Sequence, residues 1–188
     1  MSDSDRKNAA LGLRGRKWLK AVHLVFVAMW LAGGVSLILL NTIPEAKSGE
    51  MLHGLDTAKR VIDDLVVVTG AMGAMVTGVA FGIFTKWGFT RHRWVIGKWI
   101  ITVVGIFFGT FYLGPRLNAL APVSAELGLA ALKDPGYLRN LSENLWGAVF
   151  QVSTLLVAIW LSVFKPRLGS RSKQARDPAD DSTKESPP

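Results

Sequence analysis

One uninterrupted stretch, Ala21–Leu40, constrains this chain more than any other. It reads AVHLVFVAMWLAGGVSLILL, twenty residues with no formal charge and no proline. Coiled as a helix it rises about 30 Å, the thickness of a bilayer's hydrocarbon core. Apolar on nearly every side, it has no polar face to turn to water and reads as a transmembrane helix. Its one ionisable side chain is His23.

Three further runs match it: Leu65–Thr85, Trp94–Leu113, which only Lys98 interrupts, and Leu145–Phe164. A backbone in lipid must satisfy its own hydrogen bonds, so each run becomes a helix. The 188 residues are expected to be all-α, with a membrane domain over 21–164 made of four transmembrane helices at about 21–40, 65–85, 94–113 and 145–164. Residues 1–20 are a basic segment ahead of it. Residues 165–188 are nearly devoid of apolar side chains, end in Pro-Pro, and read as a disordered tail. The first run is too long for a signal-peptide core and no small-x-small cleavage site follows it, so it is expected to be retained.

Hydrophobic residues make up 49% of the chain, yet its net charge is +8. A nucleic-acid partner is rejected because the positive charges flank the apolar runs. Sixteen of the 22 Lys and Arg fall in residues 1–20, 86–98 and 165–188, and six in 41–64 and 114–144. The rich segments all lie on one side of a four-pass topology. The positive-inside rule makes that side cytoplasmic, with both termini inside, N-in/C-in. The expected location is a bacterial inner membrane and the expected partner its lipid bilayer. Trp18, Trp87 and Trp94 mark the inner ends and Trp146 and Tyr112 the outer ends, while Trp30 lies mid-helix. There is no cysteine, which excludes disulfides, thiolate metal sites and cysteine nucleophiles.

The connections differ. KWGFTRHR (86–93) forces a tight hairpin, and LHGLDTAKRVIDD extends the second helix outward. PVSAELGLAALK, between Gly114-Pro115 and Asp134-Pro135-Gly136, reads as an amphipathic helix lying at the surface. Helices in lipid associate through close backbone contact. The stripe Gly70, Ala74, Gly78, Gly82 and its counterparts Ala28, Ala32, Ser36 and Gly105, Gly109 therefore predict tight seams, and Leu at Gly78 should wedge one apart. The same stripes would also serve a homo-oligomer or a groove for a flat ligand. Gln151 is expected to bond across the bundle. Arg60 and Asp64 are expected to pair along one helix face; Asp63 and Asp64 as a cation or proton access point is the alternative.

His23 and Lys98 each lie about one turn inside the inner end of a helix, at matching depth. Intramembrane ionisable groups point by default to function. Against that stand snorkelling of Lys98 and a backbone hydrogen bond for His23. His92, between Arg91 and Arg93, reads as solvated, and His53 belongs to the outer side. No phosphate loop, nucleophile elbow or HExxH is present.

His23, Trp30, Gly33 and Gly34 form H-x6-W-x-x-G-G. This resembles the first helix of copper-resistance D proteins and of the membrane-embedded, haem-binding protoporphyrinogen oxidase, which also has a lysine early in its third helix, where Lys98 stands. Across residues 17–167, from IDDLVVV through FTKWGFTRHRWVIGKWIITVVGIFFGTFYLGPRLN to FKPR, the chain is similar to an uncharacterised family of small four-helix integral membrane proteins. The oxidase resemblance implies haem b held by His23, with Lys98 as second ligand or propionate partner and Trp30 beside the site. Two alternatives accompany it. One is a non-catalytic accessory or transport component for a metal ion or small molecule, with His23 as metal ligand. The other is an enzyme oxidising porphyrinogen and passing electrons to quinone.

Overall fold

The computed structural model describes residues 12–42, 45–84 and 93–164. Among the described residues every element is helical and there is no strand. Helix α1 is Leu13–Thr42. Helix α2 (Gly49–Ile62) passes through a π-helical turn, Asp63–Val67, into α3 (Val68–Phe84). Helix α4 (Arg93–Phe108) passes through a second π turn, Gly109–Leu113, into the short α5 (Gly114–Asn118). Then come α6 (Leu120–Leu127), a 3-10 stretch (Gly128–Lys133) and α7 (Pro135–Phe164). Four helical stretches are long and apolar enough to cross a membrane: Arg14–Thr42, Gly49–Phe84, Val95–Lys133 and Pro135–Phe164. Their order is that of the four apolar runs.

The helices outrun the apolar stretches, because lipid limits where side chains must be apolar and not where a helix ends. α1 starts at Leu13, inside the basic segment. The second rod begins at Gly49, where Ser48 caps it by accepting the Met51 N–H at 3.1 Å. This is the outward extension that the sequence predicts. The fourth begins where Asp134 Oδ1 accepts the Tyr137 N–H at 2.7 Å and Pro135 opens the first turn. Residues 1–11, Trp87, His92 and the tail 165–188 lie outside the described residues, as does most of the KWGFTRHR hairpin.

In the bundle α1 lies between α3 and α7, and α4 packs on α7. The fourth seam, between α3 and α4, is sparse. The α1–α3 seam is the tightest. A Cβ on Gly70 would stand 2.5 Å from the Trp30 backbone nitrogen and 2.9 Å from the Phe26 carbonyl oxygen, and one on Gly33 would stand 2.6 Å from Val67 Cγ2. A Cβ on Gly73 would run into the Phe26 ring. Gly78 corrects the sequence reading. A Cβ there would meet only Trp99, at 3.9 Å, so the upper part of that stripe seals a seam and Gly78 faces a loose one.

At the far end α2, α5, α6, the 3-10 stretch and the start of α7 form a cap. Leu37, Leu52, Leu117, Leu120, Ala131 and Tyr137 make its core. The amphipathic segment therefore does not lie free at the surface. Leu120, Ala121 and Ser124 are buried as α6 docks on α2, which gives its apolar face protein to pack on. The crossing needs two glycines. A Cβ on Gly49 would lie 2.8 Å from the Gly128 Cα, and Gly128 turns the chain with φ +54°.

Candidate functional site

His23 sits half-buried on α1, facing α3. Its Nδ1 lies 2.7 Å from Thr77 Oγ1. The Thr77 hydroxyl donates back along its own helix to the Gly73 carbonyl at 2.6 Å, a bond that Thr forms readily inside a helix. That hydroxyl has one hydrogen, so it must accept from the imidazole. Nδ1 therefore carries a ring hydrogen, and in the neutral ring Nε2 is then the lone pair. The edge of the ring meets Phe81, with centroids 5.5 Å apart at 83°. Lys98, half-buried on α4, is close enough for its charge to act on the imidazole.

Two of the three residues singled out by the sequence thus lie within electrostatic reach of each other, and the third stands apart. Trp30 is seven residues after His23, about 10 Å deeper. It is 2% exposed, with its indole against Gly105 of α4, at 3.6 Å from a Cβ placed there. Gly105 follows Lys98 by the same seven residues, so α1 and α4 keep one register from the imidazole inward. Gln151 of α7 crosses the bundle to this point and donates Nε2–H to the Gly105 carbonyl at 3.2 Å. Trp30 Nε1 and Gln151 Oε1 are buried there without a partner.

The sequence reading missed Thr77 and Phe81, which hold the ring. Thr77 could have been found as the hydroxyl four residues from Gly73, beside the stripe that faces α1. It also missed a second polar group, in the cap. Asp56, Lys59 and Tyr137 are 0%, 3% and 1% exposed. Lys59 donates to Asp56 Oδ1 at 3.1 Å, and the Tyr137 hydroxyl donates to Asp56 Oδ2 at 2.9 Å. The signal was there: Asp56 and Lys59 fall on the face of α2 that Leu52, Leu55 and Ile62 make apolar. His53, in the same cap, pairs its Nδ1 with the Ala121 carbonyl at 3.0 Å. Among the described residues no three His, Asp or Glu side chains gather as a metal ion would need.

No protein family, curated protein or solved structure matches the chain.

Proposed function

We propose that this is a bacterial inner-membrane protein, both termini cytoplasmic, that binds haem b or a related porphyrin at the cytoplasmic end of the bundle. His23 is the metal ligand. Lys98 is a second ligand or the partner of a propionate, and Trp30 closes the bundle beyond the site. One observation carries the reading: the hydrogen-bond chain from His23 through Thr77 to the Gly73 carbonyl takes Nδ1 as donor, so that the neutral ring offers Nε2 to a metal. Ligating histidines are oriented in this way, the other ring nitrogen donating to an oxygen. Among the described residues, the sparse α3–α4 seam and the loose packing at Gly78 support it, because a flat ligand needs such an opening. A lone metal ion fits less well, because among the described residues no group of three His, Asp or Glu forms around the imidazole.

Bound haem would supply a one-electron centre. The chain's own part is to fix the imidazole tautomer, set a cation beside it and keep water from the deeper bundle.

The test is the visible spectrum of the purified protein supplied with haem. The expected result is a Soret band that His23→Ala abolishes. Thr77→Val, which removes the acceptor, should weaken haem binding by about 10-fold, and Thr77→Ser should restore it. No band in the loaded wild type, or a band indifferent to His23→Ala, overturns the proposal.

A further inference from the structure

The cap holds a cavity of about 380 Å³ at the other end of the molecule from His23. The last turn of α1 (Leu40, Asn41), the segment after it (Glu45, Ala46), α2, the 3-10 stretch and the start of α7 line it, and it opens to solvent. Ligand pockets run from about 300 to 1,000 Å³, so this one suits a small molecule. Most of its wall is apolar: Leu40, Leu52, Leu55, Leu132 and Leu141.

Two polar groups in that wall are unfinished. Asn41 donates Nδ2–H to the Leu37 carbonyl at 2.9 Å and to Asn144 Oδ1 at 3.4 Å, yet its own Oδ1 is buried with no partner. Lys59 is 3% exposed and has three N–H donors, of which Asp56 takes one. Among the described residues nothing accepts the other two. A buried carbonyl-type oxygen without a donor is costly, and so is an ammonium with unmet hydrogens. Both line one cavity, and the Glu45 carboxylate stands exposed at its rim.

The charges narrow the ligand. Asp56 cancels Lys59, and Glu45 leaves the site net negative. A simple anion would oppose Glu45 and leave Asn41 Oδ1 bare. A simple cation would leave the Lys59 hydrogens unmet, and a hydrocarbon would satisfy neither. We propose that this cavity binds a small zwitterion with an apolar side group, of the apolar amino-acid class. Its carboxylate meets Lys59, its ammonium meets Glu45 and Asn41 Oδ1, which turns toward it from the covered position it holds in this structure, and its side group packs among the leucines.

The experiment is equilibrium binding of radiolabelled L-leucine, L-isoleucine, L-valine and L-methionine to the full chain in nanodiscs. Saturable binding of at least one is expected. N-acetyl-leucine, lacking the ammonium, and leucine methyl ester, lacking the carboxylate, should each compete at least 10-fold more weakly than leucine. Substituting Lys59 risks the fold, so the variants are Asn41→Leu and Glu45→Gln. Asn41→Leu should weaken binding at least 10-fold and Glu45→Gln about 3-fold, with helicity unchanged. Absence of saturable binding for all four amino acids, the result if the cavity holds only water, overturns the proposal. So does equal competition by the two blocked analogues, or binding indifferent to Asn41→Leu. His23→Ala should leave the binding intact, so this proposal and the haem reading fail separately.

Discussion

The two ends of the bundle handle buried polarity in opposite ways. In the cap, Asp56 is enclosed completely, and both of its oxygens are answered, one by an ammonium and one by a phenol. At the His23 end an imidazole leans on a hydroxyl, and among the described residues the adjoining seam is sparse. A buried ion pair locks a structure, because opening it strands a charge. A single ring with a spare lone pair beside a loose seam locks little and leaves room for something else to bind. The difference separates a buried ion pair that holds the fold from a ring that stands beside a loose seam.

The sharpest way to break that contrast is to remove the Asp56 carboxylate. Asp56→Ala leaves Lys59 as an uncompensated charge in a site 3% exposed, a change that costs about 3–5 kcal/mol. Removing both charges together with the phenol that bonds them, as Asp56→Leu with Lys59→Met and Tyr137→Phe, should recover most of the loss, because an apolar cluster needs no partner. Denaturant unfolding in detergent checks both. If Asp56→Ala unfolds like the wild type, the cap is not the rigid end.

The next test compares two glycines on one stripe. A Cβ on Gly70 meets the Trp30 backbone at 2.5 Å, where no side chain can swing aside. Gly70→Ala should therefore push α1 and α3 apart and cost about 1–3 kcal/mol, the range for overpacking. Gly78→Ala meets only Trp99, at 3.9 Å. It should leave stability unchanged or raise it by up to about 1 kcal/mol, since alanine suits a helix better than glycine. Thermal melting of the two variants side by side is the measurement. Equal losses would mean that the α3–α4 seam is as tight as the α1–α3 seam.

Those two glycines also show what was legible in the sequence. The four membrane-length runs were, because lipid forces apolar residues into blocks. So was the α2 extension. The α7 start was not: the apolar run begins at Leu145, whereas the Asp134 cap opens the helix at Pro135, because lipid does not set where a helix begins. The shared depth of His23 and Lys98 followed from counting residues into helices that enter at the same end. Which glycine of a stripe meets a neighbour depends on how each helix is rotated, and spacing is silent about that. Spacing also grouped Trp30 with His23, although seven residues place them in different layers. The Asp56–Tyr137 bond joins residues 81 apart in the chain, and no local pattern announces it.

The smallest expected effect concerns a second ion pair on the same rod. Arg60 Nε lies 3.8 Å from Asp64 Oδ2, and the two side chains are 54% and 57% exposed. The Lys59–Asp56 pair is 4% and 0% exposed, at nearly the same sequence spacing. Exposure decides what each is worth: water already solvates Arg60 and Asp64, so joining them gains about 0–1 kcal/mol. Arg60→Ala should shift the unfolding midpoint little, and raising the salt concentration should erase even that, because exposed charges are screened. The buried pair should not respond to salt in the same range. A loss for Arg60→Ala as large as that for Asp56→Ala would mean that the cap encloses both faces of α2. The contrast drawn between its two ion pairs would then have to be abandoned.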